Sequence, residues 1–416
     1  MIIIYLLTLL FVYDIPKISP FPVSPRFIFL GLSVLLILQH KRLLSRALAE
    51  FPAPFYAYFF FVFVLGAISS HVRNMVAPFE AIVYFSAVVC LMLSNHERAV
   101  RFTRYTALLF FISIVWFLCS ISIEQPFMAI RQIIYAAHVG DNPAAALQII
   151  KPTGLTFNHF NMGYQISIGI TLTVFLWIVE KGTWRKIWAV AAVVMLVGMM
   201  FVAQRSTIPA VAIALALSLI LGRKWRQLFV LFFISALGAI VMGGMLEHGT
   251  TADTLQSRTL TIQDTRDRLG WQLAALKVIA QNPAGNIFGD LDWETESIEE
   301  GADYSYYGWS TKAVHNAYLG RMVSYGWLGA VLVVSCLIAA YRSILKPALF
   351  GPNKSRFKLY AEASSYAFIA VSIQALFHNA SVFTVEPSSW IILSICGGWA
   401  AILKSEQLRS ERRDNA

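Results

Sequence analysis

Residues 187–221 read IWAVAAVVMLVGMMFVAQRSTIPAVAIALALSLIL, with Arg205 as the one charged side chain in the stretch. On each side of Gln204-Arg205 lies an apolar run close to the length that crosses a hydrocarbon core, roughly 17 to 25 residues or fewer where flanking groups snorkel. Two such runs joined by so tight a turn predict a pair of membrane-crossing helices. The turn also holds the Arg205 guanidinium at head-group depth.

The rest of the chain repeats this pattern. Of 416 residues, 57% are hydrophobic and 13% charged, whereas an ordinary soluble domain carries roughly a quarter charged residues. Mean hydropathy is +0.63. The expectation is an all-α polytopic membrane protein with about 12 transmembrane helices, near 1 to 13, 26 to 39, 54 to 71, 78 to 94, 105 to 123, 162 to 180, 186 to 203, 206 to 221, 227 to 245, 316 to 341, 359 to 377 and 388 to 403. No small-residue cleavage site follows the first run before Asp14, so it reads as a retained span. No internal repeat is visible, and a single transmembrane domain over 1–416 accounts for the chain.

Basic residues set the orientation, because cytoplasmic loops accumulate Lys and Arg. Every second connection is basic: Lys41, Arg42 and Arg46; Arg98, Arg101 and Arg104; Lys181, Arg185 and Lys186; Arg223, Lys224 and Arg226; Arg342 through Lys358; and Lys404 through Arg413. Both termini then face the cytoplasm. The net charge of +10 reflects this bias together with contact with membrane lipids, and calls for no nucleic acid. Cys90, Cys119, Cys336 and Cys396 all fall in apolar spans, which predicts structural cysteines without a disulfide or metal cluster.

Two outer segments break the rhythm of short connections, 124–161 and 246–315. In the first, Phe127, Ile130, Ile133 and Ile134 recur at helical spacing after Pro126 and predict a short interfacial helix, with a second around Ala144 to Ile150. In the second, Asp264-Thr265 supplies a helix start and Asn282-Pro283 a stop around an apolar stripe of Leu269, Leu273, Leu276 and Ile279. Arg266 and Arg268 then sit in the first turn. Cations there are mildly unfavourable, so with the free amides they suggest a corner for phosphate. An ion pair with Asp267 is the plainer alternative. The acidic, aromatic stretch from Gly289 to Trp309 reads as a flexible rim or lid.

Three groups in these surroundings carry candidate chemistry. The planar fork of Arg205 suits phosphate oxygens, although an interfacial arginine that merely snorkels has the same signature. Arg268 is the second cation. His315, at the outer start of the span from 316, can take a proton from a hydroxyl, and nearby arginines would favour its neutral form; a lone interfacial histidine is otherwise a packing or capping group. Arg266, Lys312, Asn316, His159 and Asn161 are second-rank candidates for substrate contact, the last two also for a hydrogen-bonded helix start. Asp290-Leu291-Asp292 looks like a metal-binding aspartate pair only weakly, and no metal is expected. HExxH, P-loop and GxSxG patterns are missing, so metalloprotease, ATPase and α/β-hydrolase readings lack support.

Four short motifs tie these positions together: Gly154 to Asn161; Gln204-Arg205-Ser206; Arg268 with Trp271, Pro283 and Gly289; and His315-Asn316 with Leu319, Gly326 and Gly329. In these four places the chain resembles the O-antigen ligase and O-antigen polymerase superfamily of bacterial inner-membrane glycosyltransferases, most closely the ligases. Gln204 departs from the serine usual there and takes no role. The resemblance implies a GT-C-like fold with a large periplasmic catalytic loop, 246–315, and a periplasmic re-entry segment, 124–161. It further implies inverting, metal-independent and cofactor-free transfer of a polysaccharide from undecaprenyl diphosphate to a hydroxyl of the lipid A core oligosaccharide. Arg205 and Arg268 would grip the diphosphate and His315 would act as base. The alternatives are an O-antigen polymerase, a protein O-glycosyltransferase, or a flippase for a lipid-linked sugar. A flippase should place ionisable groups deep in its spans, where Arg321 and Glu362 are the nearest.

Overall fold

The computed structural model describes residues 2–12, 25–69, 72–123, 125–130, 154–156, 159–202, 206–222, 229, 233, 262–289, 291–304, 314–351, 355 and 357–414; among them are helices and turns and no strand. Helix α1 (Ile2–Leu7) runs into a π turn, and α2 (Pro25–Gln39), α3 (Leu44–Glu50), α4 (Ala53–Ile68), α5 (Val72–Ser94), α6 (His96–Ser122), α7 (His159–Val179), α8 (Gly182–Phe201) and α9 (Thr207–Gly222) follow. Then come α10 (Ile262–Gln281), α11 (Trp293–Glu299), α12 (Ala317–Ala340), α13 (Lys346–Phe350), α14 (Lys358–Gln374) and α15 (Pro387–Asp414).

The protein is therefore an all-helical membrane protein. Among the described residues six stretches are long and apolar enough to cross a bilayer: Asn74–Ser94, His96–Ser122, Asn161–Val179, Gly182–Phe201, Ala317–Phe350 and Pro387–Arg412. A seventh arises if Phe27–Gln39 and Lys41–Glu50, bent by 84°, count as one span. Within those residues this is fewer than the twelve expected over the whole chain. Helices do occupy eleven of the twelve segments, but those at Ile2–Phe11, Ala53–Ile68 and Thr207–Ser218 are shorter apolar pieces. Helix α14 carries Lys358, Glu362, Ser364 and Ser365, and most of 227–245 lies outside the described residues.

Helix α7 is the hub. It packs against α6, α8, α9, α14 and α15, and 83% of its span is buried inside the protein. The facing side of α14 is lined with fully buried small residues, among them Ala361, Ala363, Ser364, Ala367 and Ala370, which let two backbones approach closely where lipid gives no hydrophobic drive between helices. Polar side chains add ties across this interface, as where Ser167 donates to Gln374. Of the cysteines, Cys90, Cys336 and Cys396 are buried and Cys119 partly so, and all four are free thiols.

The bundle has two chemically different ends. At one, Arg104 donates to both Glu180 oxygens at 2.6 Å, Tyr360 donates to the same carboxylate at 2.6 Å, and Lys404 pairs with Glu50 at 2.6 Å. These residues belong to or border the basic connections. At the other end, Ser206 Oγ lies 2.7 Å from His378 Nε2, Tyr164 donates to Ala380 O at 2.5 Å, and Gln272 donates to Leu376 O at 3.0 Å.

Candidate functional site

The site grows from a break in α12. Gly326 has φ +60 and ψ −154 inside that helix, a conformation open to glycine almost alone. A Cβ added there would fall on Pro283 O and the adjoining backbone of Ala284 and Gly285. The turn after α10 fills the break: Trp327 N donates to Pro283 O at 2.9 Å, Asn286 N to Val323 O at 3.0 Å, and Trp327 Nε1 to Ile279 O at 3.0 Å. Gly285, at φ +62, closes against Gly326 from the other side. The loop is thus wedged into a membrane helix, and α10 is held across the start of α12.

Helix α10 does not use the face that its periodicity suggests. Leu269, Leu273 and Leu276 are more than half exposed, whereas Trp271, Ala274, Ala275 and Val278 are buried and Ile279 is nearly so. Both faces are apolar, and the one with two alanines fits closely against protein, leaving the leucines outward. A second correction concerns the cations. The helix begins at Ile262, so Arg266 and Arg268 lie beyond its first turn and away from the free amides. The phosphate corner built on those amides is withdrawn. Arg268 is half-buried, one turn before Trp271.

Trp271 organises what surrounds it. Its ring stacks on Tyr304 with centroids 5.1 Å apart and meets the His315 ring at 5.1 Å and 34°, while its Nε1 donates to Asp303 O at 2.7 Å. Tyr304 in turn shares a 3.1 Å hydrogen bond with Ser297 of α11, and burial pushes its hydroxyl pKa up, so it stays a neutral donor. The acidic stretch is accordingly not a loose rim over residues 291–304. Asp292 caps α11 by accepting from Glu294 N at 3.1 Å, and Lys277 pairs with Glu300 at 3.2 Å. Capping explains Asp292 without a metal role. Among the described residues no cluster of three His, Cys, Asp or Glu is placed to hold a metal ion.

His315 has φ +49, and among the described residues the only other non-glycine at positive φ is Val385. Such a conformation is uncommon for a residue with a Cβ and persists only where its surroundings impose it. Here Asn316 imposes it: its side chain accepts from Tyr318 N and Leu319 N at 3.0 and 3.1 Å, starting α12, while its amide nitrogen lies 3.5 Å from Gln272 Oε1 on α10. Asn316 is thus a helix cap that also ties α10 to α12.

Of the other expected site residues, Asn161 is buried in the first turn of α7, and His159 is the residue at which α7 opens. Arg205 and Lys312 lie outside the described residues, as do the side chain of Arg266 and all of 131–153, with Ile133, Ile134 and the stretch 144–150. Residues 125–130 are helical as expected, with Phe127 against Trp116 at 4.8 Å. Ser206, next to Arg205, is pinned to His378, two residues from the Leu376 carbonyl that holds Gln272. The connection after α14 therefore brings Ser206 and α10 to one end of the bundle. His378, Gln272 and the buried Glu386, which accepts from Ser388 N and Ser389 N at 2.9 and 2.5 Å to start α15, carry no motif in the sequence that would single them out.

No protein-family model matches the chain, and no curated protein matches it. Its functional reading rests on this geometry and on the four short motifs.

Proposed function

We propose that the chain is an O-antigen ligase: an inverting glycosyltransferase that moves a polysaccharide from undecaprenyl diphosphate to a hydroxyl of the lipid A core oligosaccharide. It works at the periplasmic end of a twelve-crossing bundle in the bacterial inner membrane, with both termini cytoplasmic and 246–315 as the periplasmic loop. The observation that carries the reading is the His315 ring, set at positive φ against Trp271 one turn from Arg268. A base and a cation on separate segments are held by the same wedged helix pair.

The step follows from the groups. His315 takes the proton of the acceptor hydroxyl, the freed oxygen bonds to the anomeric carbon, and the bond from that carbon to the diphosphate oxygen breaks with inversion. Negative charge gathers on the departing diphosphate, where the guanidinium groups of Arg268 and Arg205 stabilise it. Diphosphate leaves readily, so a protonating acid is superfluous, and the second carboxylate of a glycosidase has no task. Arg266 and Lys312 add cationic character around the same loop.

The test uses purified protein, lipid-linked polysaccharide and core acceptor. Product should form without ATP and undiminished in EDTA, and Arg268→Ala should slow turnover by about 100- to 1,000-fold, the effect of deleting one donor from an oxyanion site. Undiminished turnover in His315→Ala removes the base and the reading with it. In cells, loss of all capped lipopolysaccharide on deletion supports ligase activity, whereas retention of a single repeat on the core points to a polymerase.

A further inference from the structure

Beside the His315 turn lies a cavity of about 280 Å³, between the wedged loop and the first turns of α12. Val314 and Asn316, which flank His315, both line it. The remaining polar wall comes from Arg321, Asn286, Asn379 and Ser324, with Trp293 as an aromatic side and, among the described residues, no carboxylate in the lining. Ordinary small-ligand sites run from roughly 300 to 1,000 Å³. This one suits a single sugar ring and not a chain of them.

The donors on its wall are partly uncommitted. Arg321 gives one nitrogen to Tyr325 OH at 3.3 Å and sits over that ring at 5.9 Å. Among the described residues it pairs with no carboxylate. The Asn286 side chain accepts from Leu291 N at 3.2 Å, which leaves its amide hydrogens for a ligand. A wall with one guanidinium, several amides and an indole has the composition that recognises a hydroxylated ring bearing a negative charge: the guanidinium takes the anion, amides take hydroxyls, and the aromatic face takes C–H groups.

We infer that this cavity seats an anionic sugar residue of the acceptor, a hexose carrying phosphate or carboxylate, with Arg321 on the anion. The inference rests on the transfer reading above, and it assigns the acceptor side of that site: a sugar held between residues 314 and 316 presents its hydroxyls next to His315, whereas the diphosphate belongs with the cations of α10 and the Arg205 turn. Arg321, a charge that a transporter reading would place along a translocation path, becomes a specificity-determining residue.

Calorimetric titration of the detergent-solubilised full chain tests this without any donor lipid, so its outcome is independent of whether transfer occurs. The probes are glucose 6-phosphate, glucuronate, glucose and inorganic phosphate. Both anionic sugars should bind at least about tenfold more tightly than glucose, as expected for one charge-assisted contact, and glucose 6-phosphate more tightly than phosphate alone. Arg321→Gln should reduce the anionic sugars to the level of glucose. Asn379→Asp, at an exposed position where folding is not at risk, should weaken them similarly by placing a carboxylate in the cavity. Equal binding of glucose and its phosphate, equal binding of free phosphate and the sugar phosphate, or an unchanged preference in both variants overturns the assignment. Persistent turnover in His315→Ala, by contrast, sinks the transfer reading and leaves these binding results standing.

Discussion

Gly326→Ala is the most informative single perturbation, because the break it forms is where the loop enters the membrane helix. Its φ of +60 with ψ −154 is essentially closed to any residue with a Cβ, at a cost of about 1–3 kcal/mol. The added methyl would also occupy the position of Pro283 O, so the wedge must withdraw. Withdrawal removes the hydrogen bonds from Trp327 N, Asn286 N and Trp327 Nε1 across the break, each contributing about 1 kcal/mol. The contact between α10 and α12 should therefore weaken by roughly 4–6 kcal/mol. That rivals the whole stability of a small domain and is enough to undock the loop locally. Hydrogen exchange read by mass spectrometry should show faster exchange in 262–289 and around 317–325, with α7 unchanged. Gly270→Ala is the control, since a Cβ there meets nothing within 4 Å and alanine is the better helix former by about 1 kcal/mol. Unaltered protection of α10 in Gly326→Ala would refute the wedge as what holds the site together.

Further outcomes follow from the same contacts. Trp271→Phe keeps an aromatic ring against Tyr304 and His315 but loses the donor to Asp303 O, so it should cost about 1 kcal/mol, whereas Trp271→Ala should cost about 3–5; thermal melts of the two variants should separate accordingly, and equal midpoints would show that the stack contributes nothing. Arg104→Met strands Glu180, 7% exposed, with the hydrogen bond from Tyr360 left to hold it; a loss of about 3–5 kcal/mol is expected, largely recovered in Arg104→Met/Glu180→Leu, and a double variant no more stable than the single one would contradict this. The Glu300 carboxyl is held below its usual 4.5 by the Gln281 hydrogen bond and by Lys277. Its contribution is therefore complete above the unfolded value and is lost as pH falls through the folded one. Exchange in α11, corrected for intrinsic rates, should stay constant down to pH about 5 and quicken in more acidic buffer, and Lys277→Ala should already exchange faster at neutral pH.

How much of this was legible in the sequence depended on whether the signal was local. Apolar runs fix helices in a bilayer without help from neighbours, so eleven expected segments are helical. The stop at Asn282-Pro283 was readable for the same reason. The start of α10 was less so, and the two residues by which it moved took Arg268 out of the first turn. The stripe Leu269, Leu273, Leu276 and Ile279 was correctly seen as apolar, yet its three leucines face away from the protein and only Ile279 packs: a helix with two apolar faces gives no local sign of which one packs. The choice fell to the small side chains Ala274 and Ala275 and to Trp271, whose partners Tyr304 and His315 arrive from elsewhere in the chain.

Sequence by itself determined that the protein lives in a membrane, where its helices run, and which chemical groups lie on its polar connections, because each of these depends on composition within one stretch. Tertiary structure alone decided that α12 breaks at Gly326 to admit the Asn282–Gly289 turn, that Ser206 and α10 both reach the connection after α14, and that Arg321 lines a cavity beside His315. Those are distances between segments far apart in the chain, set by close packing and hydrogen-bond satisfaction across the whole bundle, and no single window of residues contains them.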